Sequence, residues 1–194
     1  MEFAAIILAG GRGKRMGQDK AALLLEGEPL LLRQITSLRD LGFQEVVVAL
    51  GRKRALPFHL DALAVEDSFQ GMGPLAGIHA GLSAIRAPAA LVVACDMPIF
   101  VPPLLWELLR LSGAEKIAIC LRRGFIEPFP GIYPKSVLPF LTEALRLGKL
   151  KVQDFIWSAP HALLPEAKTK ELDPEGLSFV NLNTEEEKER LCVG

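Results

Sequence analysis

Sulfur and imidazole are scarce in this 194-residue chain, which holds three cysteines and three histidines. Cys95, Cys120 and Cys192 lie far apart and follow no paired spacing, and His59, His79 and His161 form no cluster with them. This argues against a zinc site, and an odd number of scattered thiols fits a reducing cytoplasm better than a disulfide framework. A charge excess is missing too, because 22 basic and 23 acidic residues leave a net charge of −1. Such a chain exerts no global pull on nucleic acid or an anionic membrane, and it has no basic stripe interleaved with aromatics. Nor is there an uninterrupted apolar span. The most apolar region, 87–109, contains Asp96 and the prolines Pro88, Pro98, Pro102 and Pro103, which make it a poor membrane helix. Met1-Glu2-Phe3 runs into a strand-like stretch with no basic leader. The expectation is a cytoplasmic monomer whose partners are neither nucleic acid nor membrane.

Half of the residues are hydrophobic and 23% are charged. The length suits a single domain, 1–194, with one well-buried core. Short apolar runs alternate with amphipathic stretches. Strands are predicted at 3–8, 45–50, 63–65, 90–95 and 116–121, with a strand or extended segment at 127–133 and a short strand at 179–182. Helices are predicted at 29–41, closed by Gly42, at 74–85 and 102–111 with prolines in their first turns, at 136–147 closed by Gly148, and at 152–157. Thr184 and Glu187 form a capping box that starts a last helix running to about Leu191. The fold class is therefore α/β: a Rossmann-like, three-layer arrangement with a mostly parallel central sheet. Ligands of such sheets bind beyond the carboxyl ends of the strands.

Two segments fall at such ends. The first is Leu8-Ala9-Gly10-Gly11-Arg12-Gly13-Lys14-Arg15-Met16-Gly17-Gln18-Asp19-Lys20. Its glycines free the backbone for close approach, successive N–H groups can form an anion nest, and Arg12, Lys14, Arg15 and Lys20 add cations. That combination suits a triphosphate. Neither better-known phosphate loop fits, because no glycine here is followed by Lys-Ser or Lys-Thr, and the G-x-G-x-x-G pattern fails at Met16. The second is Asp96, which closes the apolar run 90–95. It reads either as a Mg²⁺ ligand facing the triphosphate or as a cap of the turn before Pro98. The neighbouring phosphate loop favours the metal.

Leu8 to Lys20 resembles the L-A-G-G-x-S-x-R-M-G-x-D-K signature of molybdenum cofactor guanylyltransferases, with Gly13 in place of the serine. Cys95-Asp96-Met97-Pro98 is similar to that family's C-D-x-P motif. Glu66-Asp67 with Gly71-Met72-Gly73-Pro74-Leu75-Ala76-Gly77 is similar to its E-D and G-P-L-A-G segments. Phe179-Val180-Asn181-Leu182-Asn183-Thr184 resembles F-x-N-[VIL]-N-T. The resemblance implies a nucleotidyltransferase fold with a nucleotide-binding half, 1–100, and an acceptor half, 101–194. It implies nucleotide contacts at Leu8, Ala9, Gly10, Gly11, Gly13, Lys20, Asp67, Gly73, Gly77 and Asp96, and catalytic roles for Arg15, Lys20 and Asp96. It further implies Mg²⁺ on Asp96 and the acceptor against Asn181 and Asn183. Asp67 would accept hydrogen bonds from guanine N1–H and N2–H₂; its alternative is an ordinary loop acid. Asn183 could equally organise the turn before the last helix.

The implied substrates are GTP and molybdopterin-bound molybdenum, with apo-molybdoenzymes and a helper protein as further partners. The acceptor phosphate is already ionised near neutral pH and would attack the α-phosphorus unaided, which fits a chain without a Ser-His-Asp set. Two residues depart from the pattern: Glu127 stands where the family has His or Gln, and Ala49 where some members carry a base-holding Asn. They leave open a molybdopterin cytidylyltransferase or a sugar- or alcohol-phosphate nucleotidyltransferase. A non-catalytic nucleotide-binding module is the reading from another class.

Overall fold

A computed structural model describes residues 3–10, 24–52 and 56–182. In chain order the elements are β1 (Ala4–Leu8), a small hairpin of β2 (Leu24–Leu25) and β3 (Glu28–Pro29), α1 (Leu30–Asp40), β4 (Val46–Ala49), β5 (Leu63–Val65), α2 (Pro74–Ala84), β6 (Ala89–Ala94), α3 (Pro102–Ser112), β7 (Ile117–Arg122), β8 (Phe125–Pro134), α4 (Leu138–Arg146), α5 (Val152–Ser158), β9 (His161–Leu164) and α6 (Glu166–Leu172). Seven strands form one sheet in the order β5-β4-β1-β6-β8-β7-β9. All its pairings are parallel except those of β8, which runs antiparallel to β6 and β7. The α/β class and the mostly parallel sheet read from the sequence are borne out.

Because side chains alternate along a strand, β1 feeds two cores. Ala4, Ile6 and Leu8 pack on one face with Leu75, Ile78 and Leu82 of α2, Leu141 and Leu145 of α4, and Phe155 and Ile156 of α5. Ala5 and Ile7 pack on the other with Leu31, Ile35 and Leu38 of α1 and Leu104, Leu105 and Leu108 of α3. The α2 layer sits close because Gly81 faces Ile6. A Cβ on Gly81 would lie 2.6, 2.8 and 2.9 Å from Ile6 Cγ2, Cδ1 and Cγ1. Ile6 is fully buried and has nowhere to go. Gly81→Ala should therefore destabilise the fold by about 1–3 kcal/mol despite alanine's better helix propensity. Urea unfolding checks this, and an unchanged or raised midpoint would show the layer to be loosely packed.

Two features differ from the sequence reading, and one, the strand at 127–133, is extended beyond it. Residues 179–182 form no strand; Leu177–Phe179 is a 3₁₀ turn. The Asp173 carboxylate accepts the N–H groups of Leu177 and Ser178, both at 2.9 Å, and ties those donors to the turn instead of a ladder. Phe179 and Val180 N–H groups close onto Gly176 O and Leu177 O, and Leu182 N–H then donates to the Asp96 carbonyl at 2.7 Å. The extended segment 127–133 is part of the longer strand β8, whose register against β7 jumps from Ile119↔Gly131 to Cys120↔Glu127. The extra residues, Pro128 to Pro130, bulge out of the ladder, as prolines without a donor must. Lastly, β9 and α6 were not anticipated: β9 is short and half-buried, and Thr169 is the one buried residue of α6. The helix predicted from Thr184 lies outside the described residues. Among them, no helix is long and apolar enough to cross a membrane.

Candidate functional site

The strands β1, β4, β5 and β6 run parallel, so their carboxyl ends share one edge of the sheet. Hydrogen bonds carry the strand order into the loops that follow. Ala9 N–H donates to Ala49 O (2.8 Å), Leu50 N–H to Val65 O (2.9 Å), Asp67 N–H to Gly51 O (2.8 Å) and Cys95 N–H to Leu8 O (3.1 Å). Four loop starts are thereby held in fixed register, and they bring Leu8, Ala9, Gly10, Asp67 and Asp96 to one place.

Backbones touch here. A Cβ on Gly10 would lie 2.9 Å from Gly51 Cα, and one on Gly51 would lie 3.1 Å from Gly10 Cα. Gly51 also holds φ at +80°, which disfavours any side chain. Gly77, in the first turns of α2, faces the same spot: a Cβ there would be 3.0 Å from Leu8 Cδ2, 3.5 Å from Ala49 Cβ and 3.8 Å from Asp67 Oδ1. The three glycines let the strand-end backbones and α2 pack closely here, with Asp67 Oδ1 beside Gly77. Gly73 is the N-cap of α2 at φ +71°. It turns the chain so that the free N–H groups of the helix start point out of the sheet edge.

Asp67 is the most strained electrostatic group in this region. It is 7% exposed, and among the described residues its Oδ1 is buried without a hydrogen-bond partner. Burial raises its pKa from 3.8 to about 6. A buried acceptor with no donor is costly unless a ligand supplies the donors. An adjacent pair of N–H groups on a ligand would satisfy it.

Asp96 lies three strands along the edge from Asp67, 6% exposed, just past the end of β6. Its carbonyl accepts the N–H of Leu182, whose side chain is buried with Leu25 and Leu30. Asn181 precedes Leu182, so the segment carrying Asn181 is brought to Asp96. Among the described residues no group of three His, Cys, Asp or Glu side chains is placed to hold a metal ion. A lone carboxylate at a strand end is still the donor set that Mg²⁺ uses when phosphates and waters complete its shell. The Glu127 carboxylate sits further along the edge, on β8, with Arg122 at 3.8 Å. Burial raises its pKa, partly offset by Arg122. Arg122 in turn stacks over the Phe179 ring at 5.0 Å.

Gly11, Gly13, Arg15, Lys20 and Asn183 lie outside the described residues. Sequence reasoning passed over Gln34 of α1. It is 1% exposed, and its amide reaches the carbonyls of Ala94 and Met97 on either side of Asp96. The signal was available: a glutamine inside the apolar stripe Leu30, Leu31, Ile35, Leu38.

Comparison with known proteins agrees with this geometry. A family model described as a MobA-like NTP transferase domain matches residues 5–161. The chain is 37% identical over 150 residues to the molybdenum cofactor guanylyltransferase of Pseudomonas putida, covering 76% of this chain and 78% of that protein. It is 33% identical over 184 residues to a protein of Pelotomaculum thermopropionicum named a probable molybdenum cofactor guanylyltransferase, covering 95% and 89%. Among solved structures, molybdopterin-guanine dinucleotide biosynthesis protein A from Archaeoglobus fulgidus superposes with a TM-score of 0.84 at 26% identity, covering 98% and 99%.

Proposed function

The chain belongs to the MobA-like NTP transferase family, and on that premise we propose that it transfers GMP from GTP to molybdopterin-bound molybdenum cofactor. The products are molybdopterin guanine dinucleotide and pyrophosphate. One observation carries the choice of base: the Asp67 carboxylate, buried with an Oδ1 that has no partner among the described residues, beside Gly77 at the strand ends. Guanine presents N1–H and N2–H₂ side by side on one edge, which is the donor pair this acceptor lacks. Cytosine offers a ring nitrogen acceptor beside its amino group and leaves the carboxylate half satisfied.

The rest of the proposal follows the chain's own groups. Backbone N–H groups of Gly10, Gly11 and Gly13 cradle the phosphates, and the start of α2 beyond Gly73 faces the nucleotide. Arg15 and Lys20 offset the negative charge that grows on the α-phosphate and the departing pyrophosphate. Asp96 is the carboxylate that would hold Mg²⁺, which when bound lowers the charge repulsion between triphosphate and acceptor. Asn181 and Asn183 bind the acceptor with their mixed donors and acceptors. Catalysis is then positioning and charge stabilisation, with the acceptor's ionised phosphate attacking in line with the leaving pyrophosphate. A cytoplasmic setting suits the buried thiols of Cys95 and Cys120, neither of which is in a disulfide.

Pyrophosphate release with a molybdopterin donor and Mg²⁺, run with GTP and CTP side by side, tests the reading. Release with GTP alone supports it; release with CTP alone keeps the fold and mechanism and overturns the base. Lys20→Ala is expected to lower kcat roughly a hundredfold or more with the fold intact. A steady-state rate equal to wild type would take Lys20 out of the mechanism.

A further inference from the structure

We infer that Gln34 is a positioning residue for Asp96, an inference that rests on the role proposed above for that carboxylate. Gln34 occupies a core position of α1. Leu30, Leu31, Ile35 and Leu38 are its buried companions, and Gln34 is as buried as they are. A leucine or methionine would fill the same space without bringing a polar amide out of water. The amide is nevertheless employed on one side. Its Nε2 donates to Ala94 O at 2.9 Å and to Met97 O at 2.7 Å. Both partners are carbonyls, which only accept, so chemistry fixes the amide's orientation. Oε1 faces away, buried and without a partner among the described residues.

The two carbonyls bracket Cys95 and Asp96. Ala94 is the last residue of β6, and Met97 closes the turn by donating its N–H back to Ala94 O at 3.2 Å. One amide thus ties the two ends of the turn together from beneath, with Asp96 near its apex. Cys95 N–H on Leu8 O fixes the turn to β1, and Leu182 N–H on the Asp96 carbonyl fixes it from the C-terminal segment. Without Gln34 the turn keeps those two bonds and its own Met97 N–H to Ala94 O closure but loses the side-chain tie, which leaves the buried Met97 carbonyl without that donor. A carboxylate that must meet an ion to within tenths of an ångström is sensitive to such loosening, and partners of this kind usually tune metal affinity or rate about tenfold to a hundredfold.

The test is Mn²⁺ binding to the full chain with GTP present, followed by electron paramagnetic resonance, beside steady-state kinetics. Gln34→Met should weaken Mn²⁺ binding and lower kcat, each about tenfold to a hundredfold. GTP binding without metal should stay near wild type. Gln34→Met added to Asp96→Ala should cost no further residual turnover, because its path runs through Asp96. Gln34→Asn, whose amide falls one methylene short, makes the same comparison if the methionine variant does not fold. Unchanged Mn²⁺ affinity and kcat in a folded variant would overturn the inference alone. A wild-type chain that takes up no Mn²⁺ with GTP would overturn the role of Asp96, and this inference with it.

Discussion

Asp96→Asn is expected to cut turnover about a thousandfold, equivalent to about 4 kcal/mol of lost transition-state stabilisation, while the melting temperature stays within a few degrees. The substitution keeps the size and shape of the side chain and removes its charge. What holds the residue in place is backbone: the Asp96 carbonyl takes the Leu182 N–H, and the flanking carbonyls take the Gln34 amide. None of these bonds uses the carboxylate, so they survive the substitution. GTP binding without metal should change little, because the base contact proposed for Asp67 lies at the β5 end, away from Asp96. The loss belongs to kcat and to the divalent-ion requirement, and excess Mg²⁺ should restore part of it. A variant that turns over within tenfold of wild type at the same Mg²⁺ concentration would move the metal to another carboxylate.

The parts of this site that could be read from sequence are those whose chemistry is local. Gly10, Gly11 and Gly13 follow a buried apolar run among four cations, and Asp96 ends the clearest strand in the chain. Run-then-glycine and run-then-acid are one-dimensional patterns, and a parallel sheet converts both into neighbours on one edge. Helices with proline at the start and glycine at the end were equally plain, as at Pro74, Pro102, Gly42 and Gly148. Pair relations were hidden. Nothing in the sequence says that Gly51 touches Gly10, because that contact depends on the register of β1 against β4. Gln34 sits 62 positions before Asp96, and only the packing of α1 under the end of β6 joins them. The short strand predicted at 179–182 failed for a related reason, since Asp173 holds the preceding turn at Leu177 and Ser178, and the N–H groups of Phe179 and Val180 close onto Gly176 O and Leu177 O within it. In β8, the bulge at Pro128 to Pro130 is written in its prolines, but the pairing of Glu127 with Cys120 is not.

Asp67→Asn is expected to exchange the preferred base, from guanine toward xanthine, with a fall in kcat/KM for GTP of about a hundredfold or more. A carboxylate accepts from both N1–H and N2–H₂ of guanine. An asparagine presents one acceptor and one donor, which matches the N1–H and the 2-oxo group of xanthine instead. GTP then meets an N–H₂ group facing its own amino hydrogens, and a buried mismatch of that kind is the costly case. The apo protein should be at least as stable as wild type near pH 8. The native pKa of Asp67 is about 6, raised above the ordinary 3.8 by burial. The folded chain therefore binds that proton more tightly than the unfolded chain, and stability from this group falls as pH rises from about 4 to about 6 and is flat above. Asparagine removes that cost. Catalysis reads the same titration with opposite sign, because GTP needs the ionised acceptor. In wild type kcat/KM for GTP should drop as pH falls through 6, by about tenfold at one unit below, and the step should vanish in Asp67→Asn. Two results would oppose this. A variant that keeps wild-type preference for GTP over xanthosine triphosphate removes Asp67 from base reading, and a wild-type profile flat between pH 5 and pH 7 shows that the carboxylate already has a donor in the free protein.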